Sequence, residues 1–151
     1  MIAYTVGFLF TKDKREVMLV HKNRPGWQKG LYNGIGGHID DGETPLECMI
    51  REFKEEADLD IKDWQEFCIL TDNKEWRVHF FRSFDSDDKF NLYNSNTDEM
   101  IVPCLFRKDE YDGILLPDNV VPNLKWMIPM ALSDDPGIPF KIEGYDNWSQ
   151  K

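Results

Sequence analysis

The stretch from Gly36 to Leu59, GGHIDDGETPLECMIREFKEEADL, constrains this chain more than any other. Thr44 is a good helix N-cap, Pro45 suits the first helical position, and Glu47 completes a Thr-x-x-Glu capping box. Leu46, Met49, Ile50, Phe53 and Ala57 recur at helical spacing. The pattern predicts a helix over 44–57 that buries one face against a core. At about 100° per residue, Glu52, Glu55 and Glu56 fall within an arc of roughly 100° beside that apolar stripe, with Arg51 just beyond Glu55. Three carboxylates on one face repel one another. A hard cation with oxygen ligands relieves that repulsion, and such a site can activate a water or neutralise a phosphoryl group under attack. An isolated Glu-x-x-Glu-Glu is ordinarily a solvated helix face. Here it comes with Gly36-Gly37, read as a tight turn, and with Glu43 just before the helix cap.

Around this helix the chain alternates strands and turns. Ile2 to Phe10 and Val17 to Val20 read as strands of a hairpin across the polar Thr11–Arg15 turn. Residues 23–30 read as a loop, and Leu31 to Ile35 as a short strand running into the glycine turn. Trp64 to Leu70, Trp76 to Phe84 and Ile101 to Phe106 read as further strands, and 85–98 as a polar loop of low order. Asn123 to Leu132 has helical spacing with Pro129 inside it, and the tail from Ser133 looks irregular. Strands, helix, strands, helix imply an α/β chain with a mixed sheet and helices packed on it. No glycine-rich phosphate loop follows the first strand, so a dinucleotide-binding or P-loop fold is not supported.

Composition narrows the partners. With 18 basic and 28 acidic residues among 151, the net charge is −10. Such a surface repels a polyphosphate backbone and disfavours binding to a nucleic acid polymer. The length fits one domain over residues 1–151. No apolar run approaches the roughly 20 residues of a membrane helix. The apolar start lacks a basic region and a cleavage site, so it reads as a strand and not a signal peptide. Cys48, Cys68 and Cys104 are odd in number, and no two share a close metal-ligand spacing. They read as reduced thiols of a cytoplasmic protein, a monomer or homodimer, with neither a zinc site nor a disulfide framework.

Gly37, five residues, Glu43, seven residues, then Arg51-Glu52-Phe53-Lys54-Glu55-Glu56-Ala57-Asp58-Leu59 resembles the Nudix box, G-x5-E-x7-R-E-U-x-E-E-x-G-U. Every charged position matches. The motif's late glycine is Asp58 here, at the helix end, where Asp can also adopt left-handed angles. The resemblance implies a Nudix-type α/β/α sandwich around a mixed central sheet, and Mg²⁺- or Mn²⁺-dependent attack of water on a diphosphate linked to another group. Carried over, it implies that Glu52, Glu55 and Glu56 hold metal or take the proton of the water. The Gly37 carbonyl is a further metal ligand, Arg51 orients a glutamate, and Glu43 pairs with Arg51 to lock the loop.

The flanks resemble the MutT-like branch, which hydrolyses oxidised purine nucleoside triphosphates. Arg24-Pro25-Gly26-Trp27 and Asn33-Gly34-Ile35-Gly36-Gly37 resemble its approach to the box, with Trp27 and Asn33 at base-pocket places and Tyr4-Thr5 resembling a pair on its first strand. Glu99, in Thr97-Asp98-Glu99-Met100, resembles an additional metal-site glutamate, and Pro122-Asn123-Leu124 the segment that closes over the base. There Val121, Asn123 and Leu124 replace the Trp and two Asp residues of the animal enzymes, while the bacterial type uses an asparagine in this region. The implied substrate contacts are Thr5, Arg24, Trp27, Asn33, His38 and Asn123 on a small nucleotide. Plainer roles stand beside these. Trp27 can cover the core edge, Asn33-Gly34 can be a turn pair, Asn123 can cap a helix, His38 can pack against the loop, and Glu99 can be an ordinary loop acid. Alternative activities are an ADP-ribose or dinucleotide pyrophosphatase, or a non-catalytic nucleotide-binding sensor on the same scaffold.

Overall fold

The computed structural model describes residues 1–108, 113–134 and 140–144. Its elements in chain order are β1 (Ile2–Phe10), β2 (Glu16–His21), β3 (Tyr32–Asn33), β4 (Ile35–His38), α1 (Pro45–Ala57), β5 (Gln65–Thr71), β6 (Trp76–Phe84), β7 (Met100–Leu105), β8 (Arg107–Lys108), β9 (Ile114–Leu115), α2 (Leu124–Ala131) and β10 (Phe140–Ile142). The main sheet runs β10-β5-β6-β1-β2-β3, with β4 also on β1 and β7 also on β2, while β8 and β9 form a separate ribbon. β1 and β6 are parallel, as are β5 and β10, and the remaining pairs are antiparallel. The sheet is therefore mixed.

Alternation along the strands divides the core in two. Val6, Phe8 and Phe10 of β1 join Val78 and Phe80 of β6 under Leu124, Met127, Ile128 and Ala131 of α2. Leu9 of β1 and Met18 and Val20 of β2 meet Met49, Phe53 and Ala57 of α1 on the opposite face. One helix on each side of a mixed sheet is the expected α/β/α sandwich. Helix α1 is built as its sequence requires. Thr44 Oγ1 accepts from Glu47 N at 3.1 Å, and Glu47 returns the bond to Thr44 N at 2.8 Å. Asp58 ends the helix in the left-handed region, at φ 57°, where the Nudix box has its glycine.

Four expectations are corrected. Gly36-Gly37 is no turn: both residues lie in β4, antiparallel to β1, with Gly37 opposite Thr5. The glycines are needed for close approach, because a Cβ on Gly36 would strike the Thr5 carbonyl and one on Gly37 the Glu52 carboxylate. The 85–98 loop is pinned. The Asp85 carboxylate accepts from Lys89 N and Phe90 N, and the Phe90 ring is buried. The tail is not wholly irregular, since Phe140–Ile142 adds a parallel strand to β5, although 135–139 and 145–151 lie outside the described residues. Asn123 begins α2 without capping it, because its helical backbone angles turn the side chain away from the first-turn N–H groups.

Candidate functional site

The acidic face of α1 is organised by Arg51. Its Nε and Nη2 donate to the two Glu43 oxygens at 2.7 and 2.9 Å, which ties the loop before the helix to the helix itself. Its Nη1 donates to Glu52 at 2.9 Å and Glu55 at 3.2 Å, and Nη2 also reaches the His38 carbonyl at 3.1 Å. The Arg51 hydrogen bonds hold the Glu43 carboxyl down at about 2. Burial pushes Glu52 above the ordinary carboxylate range, opposed by Arg51. Glu56 rises further, to about 7, first through burial and then through the charges of Glu52 and Glu99, with Lys22 and the Gly36 N–H pulling the other way. Glu56 Oε2 is buried with no hydrogen-bond partner among the described residues.

Among the described residues, no three His, Cys, Asp or Glu side chains are gathered closely enough to enclose a metal ion. Like charges spread when nothing draws them together, and Arg51 holds two of the three. The donor set nevertheless fits a hard cation. It is all oxygen, one buried carboxylate atom has no partner, and Mg²⁺ keeps several waters instead of needing a closed protein cage.

β4 joins this face to a cavity of about 610 Å³. Gly36 and Gly37 line the cavity, and they also meet Glu56 and Glu52 of α1. Thr5, Trp27, Asn33 and His38 line it too. Trp27 also packs against the α2-side core, so it covers the core edge while lining the cavity. Asn33 does form a pair with Gly34, whose N–H it accepts at 2.7 Å, yet it sits in β3 and faces the cavity. His38 is exposed, edge-on to Tyr4 at 5.7 Å between ring centroids. Cys48 is buried against Thr5 and the His38 carbonyl, and burial lifts its thiol to about 11, so it is an inert filler.

Two expected residues stand outside the cavity lining, and the oxygens of a third, Glu99, are already occupied. Arg24 is outside the cavity lining, because its guanidinium makes two bonds to the Asp98 carboxylate, at 3.2 and 2.8 Å. Asn123 is also outside the lining, and both its amide atoms are buried without partners among the described residues. Glu99 is buried, and its oxygens are taken by Lys22 Nζ at 2.9 Å and by the N–H groups of Asn23 and Arg24. Burial works upward on Glu99, but these donors hold its pKa below the usual value. Lys22, Gln28 and Trp76 also line the cavity, and none of them belongs to a sequence motif. Trp76 was findable, since it alternates in phase with the core residues Val78 and Phe80 on one strand. Lys22 and Gln28 carried no pattern.

Fold and site together define a Nudix-type sandwich with an acidic helix beside a nucleotide-sized cavity. The comparisons agree. A NUDIX domain family profile matches residues 1–147, and the chain belongs to the Nudix family. Its fold is similar to a MutT NUDIX hydrolase of Burkholderia pseudomallei, at TM-score 0.65 and 14% identity over 87% of this chain and 98% of that one. It is also similar to a MutT structure described for Aliivibrio salmonicida and Vibrio cholerae, at 0.56 and 18% over 69% and 77%. A third is the NUDIX domain of Shewanella oneidensis NrtR complexed with ADP ribose, at 0.54 and 17% over 68% and 73%. The chain is a Nudix pyrophosphohydrolase, of a family that hydrolyses nucleoside diphosphate-linked compounds and generally uses divalent cations. Among the described residues no helix is long and apolar enough to cross a membrane.

Proposed function

We propose that residues 1–151 form one hydrolase domain that cleaves a (deoxy)nucleoside triphosphate, with an 8-oxo-purine base as the best candidate, to the monophosphate and pyrophosphate. The observation that carries this reading is the shared strand. The cavity and the carboxylates meet across Gly36 and Gly37, so a base in the cavity leaves its phosphates beside α1. About 610 Å³ suits a single nucleotide, and an aromatic wall with a few amides is what base recognition needs.

Glu52, Glu55, Glu56 and the Gly37 carbonyl would hold Mg²⁺, or Mn²⁺ in its place. When bound, the cation lowers the pKa of an attacking water and neutralises charge on the phosphates. One of the three glutamates accepts the proton of that water, and Arg51 positions Glu52 and Glu55 while its bonds to Glu43 lock the loop. Glu99 would be a further metal ligand, and Lys22, which now pairs with it, lines the cavity. Trp27, Asn33, Thr5 and His38 contact the nucleotide. Asn123, with its orphaned amide, closes on the base, and Arg24 meets the phosphates if Asp98 releases it. The enzyme acts in a cytoplasmic, reducing compartment as a monomer or homodimer. ADP-ribose hydrolysis is the second reading, favoured by the ADP ribose bound to the Shewanella NUDIX domain.

A Mg²⁺-dependent screen against dGTP, 8-oxo-dGTP, dATP, ADP-ribose and diadenosine polyphosphates tests the reading. Turnover led by 8-oxo-dGTP supports it. ADP-ribose as the best substrate moves the second reading to the front, and nucleotide binding without turnover would make the chain a sensor.

A further inference from the structure

The two buried amides of the cavity have a polarity that one backbone group dictates. The Gly34 N–H can only donate, and it donates to Asn33 Oδ1 at 2.7 Å. Asn33 Nδ2 is thereby the atom that faces Gln28, and it donates to Gln28 Oε1 at 3.1 Å. This orients Gln28 in turn, because flipping either amide would set two donors or two acceptors against each other. Gln28 is 7% exposed and Asn33 4%, and both line the cavity. Gln28 Nε2 has no hydrogen-bond partner among the described residues, yet it is not among the polar atoms sealed from solvent without one. Its N–H groups therefore open on the cavity, beside Trp27.

We infer that Gln28 is a specificity-determining residue. It presents N–H donors to the base edge, so the site takes nucleotides whose base offers a carbonyl acceptor there, as 6-oxopurines do, over those with an exocyclic amine. An amine facing Gln28 Nε2 leaves two donors opposed and both desolvated, which a buried site rejects strongly. This rests on the reading of the cavity as the base pocket.

Inosine and adenosine triphosphates isolate the keto–amino difference. With Mg²⁺, the intact protein is expected to favour inosine triphosphate in kcat/KM by about tenfold, carried mainly by KM. Gln28→Met keeps the length and removes the donors, and the ratio is expected to fall toward one. Asn33→Asp keeps the acceptor for Gly34 N–H but offers Gln28 only acceptors. Gln28 then turns its Nε2 inward and its oxygen to the cavity, so the preference swings toward adenosine triphosphate. A merely structural role for Gln28 would not invert the ratio. Without metal, quenching of tryptophan fluorescence by inosine and adenosine monophosphates is expected to follow the same order. Triphosphate turnover with equal kcat/KM for the two, or an unchanged ratio in Gln28→Met, overturns the inference and leaves the proposed function standing. Absence of turnover of any nucleoside triphosphate overturns that function, and the inference with it.

Discussion

Replacing Glu56 by glutamine removes a buried charge and keeps the shape of the side chain. Burial and the charges of Glu52 and Glu99 raise the Glu56 carboxyl from 4.5 to about 7. Each tenfold shift of a protonation equilibrium corresponds to about 1.4 kcal/mol, so the ionised carboxylate costs the metal-free fold about 3 kcal/mol above neutral pH. The sign follows from proton counting. Between pH 4.5 and 7 the folded state binds more protons than the unfolded one, so this group makes the protein more stable as pH falls through that window. Glu56→Gln has no such dependence. In a chelator at pH 8 it is expected to be the more stable protein, melting roughly 8 °C higher, with the difference gone near pH 4. Its hydrolytic rate is expected to fall at least about 100-fold, as for loss of a group that holds metal or moves a proton. Thermal unfolding by circular dichroism from pH 4 to 8, with kinetics on the same samples, reads both. A variant less stable than the parent at pH 8, or one active within tenfold, would refute the reasoning.

Three further perturbations follow from the same geometry. Glu43→Gln removes a carboxylate held at about 2 by Arg51, and because water screens this partly exposed pair it is expected to cost about 2 kcal/mol at pH 7 in urea unfolding, less than the full linkage value. That stability is present above pH 4.5 and is lost as pH falls toward 2, where variant and parent converge. Gly37→Ala should fold and lose hydrolysis, because only the Glu52 side chain must move, whereas Gly36→Ala meets the Thr5 backbone and should lower stability by about 2 kcal/mol or more. Mg²⁺ affinity of the nucleotide-free protein, measured by titration calorimetry, should be flat above pH 7 and weaken as Glu56 takes up its proton below it.

The parts legible in the sequence are those written locally. Capping box and apolar stripe of α1 depend on neighbours within two turns, and both are present, except that Leu46 at the start of the stripe stays exposed because the first turn projects past the core. The glycine pair was misread because its reason is tertiary. Gly36 and Gly37 are small for the sake of Thr5 and Glu52, not for a turn. Arg24 stood beside Trp27 in sequence, but its partner Asp98 lies 74 residues away and takes its guanidinium out of the cavity. Gln28 was invisible for a similar reason. Its importance comes from a chain of hydrogen bonds that starts at a backbone N–H, and no spacing rule records that.

The central claim is that the α1 carboxylates and the cavity act on one nucleotide. Product analysis by ³¹P NMR, on 8-oxo-dGTP with Mg²⁺, tests it most directly. The account predicts monophosphate and pyrophosphate in equal amounts, with neither formed by Glu56→Gln or in excess chelator. Release of orthophosphate and a diphosphate, or equal turnover by Glu56→Gln, would contradict it.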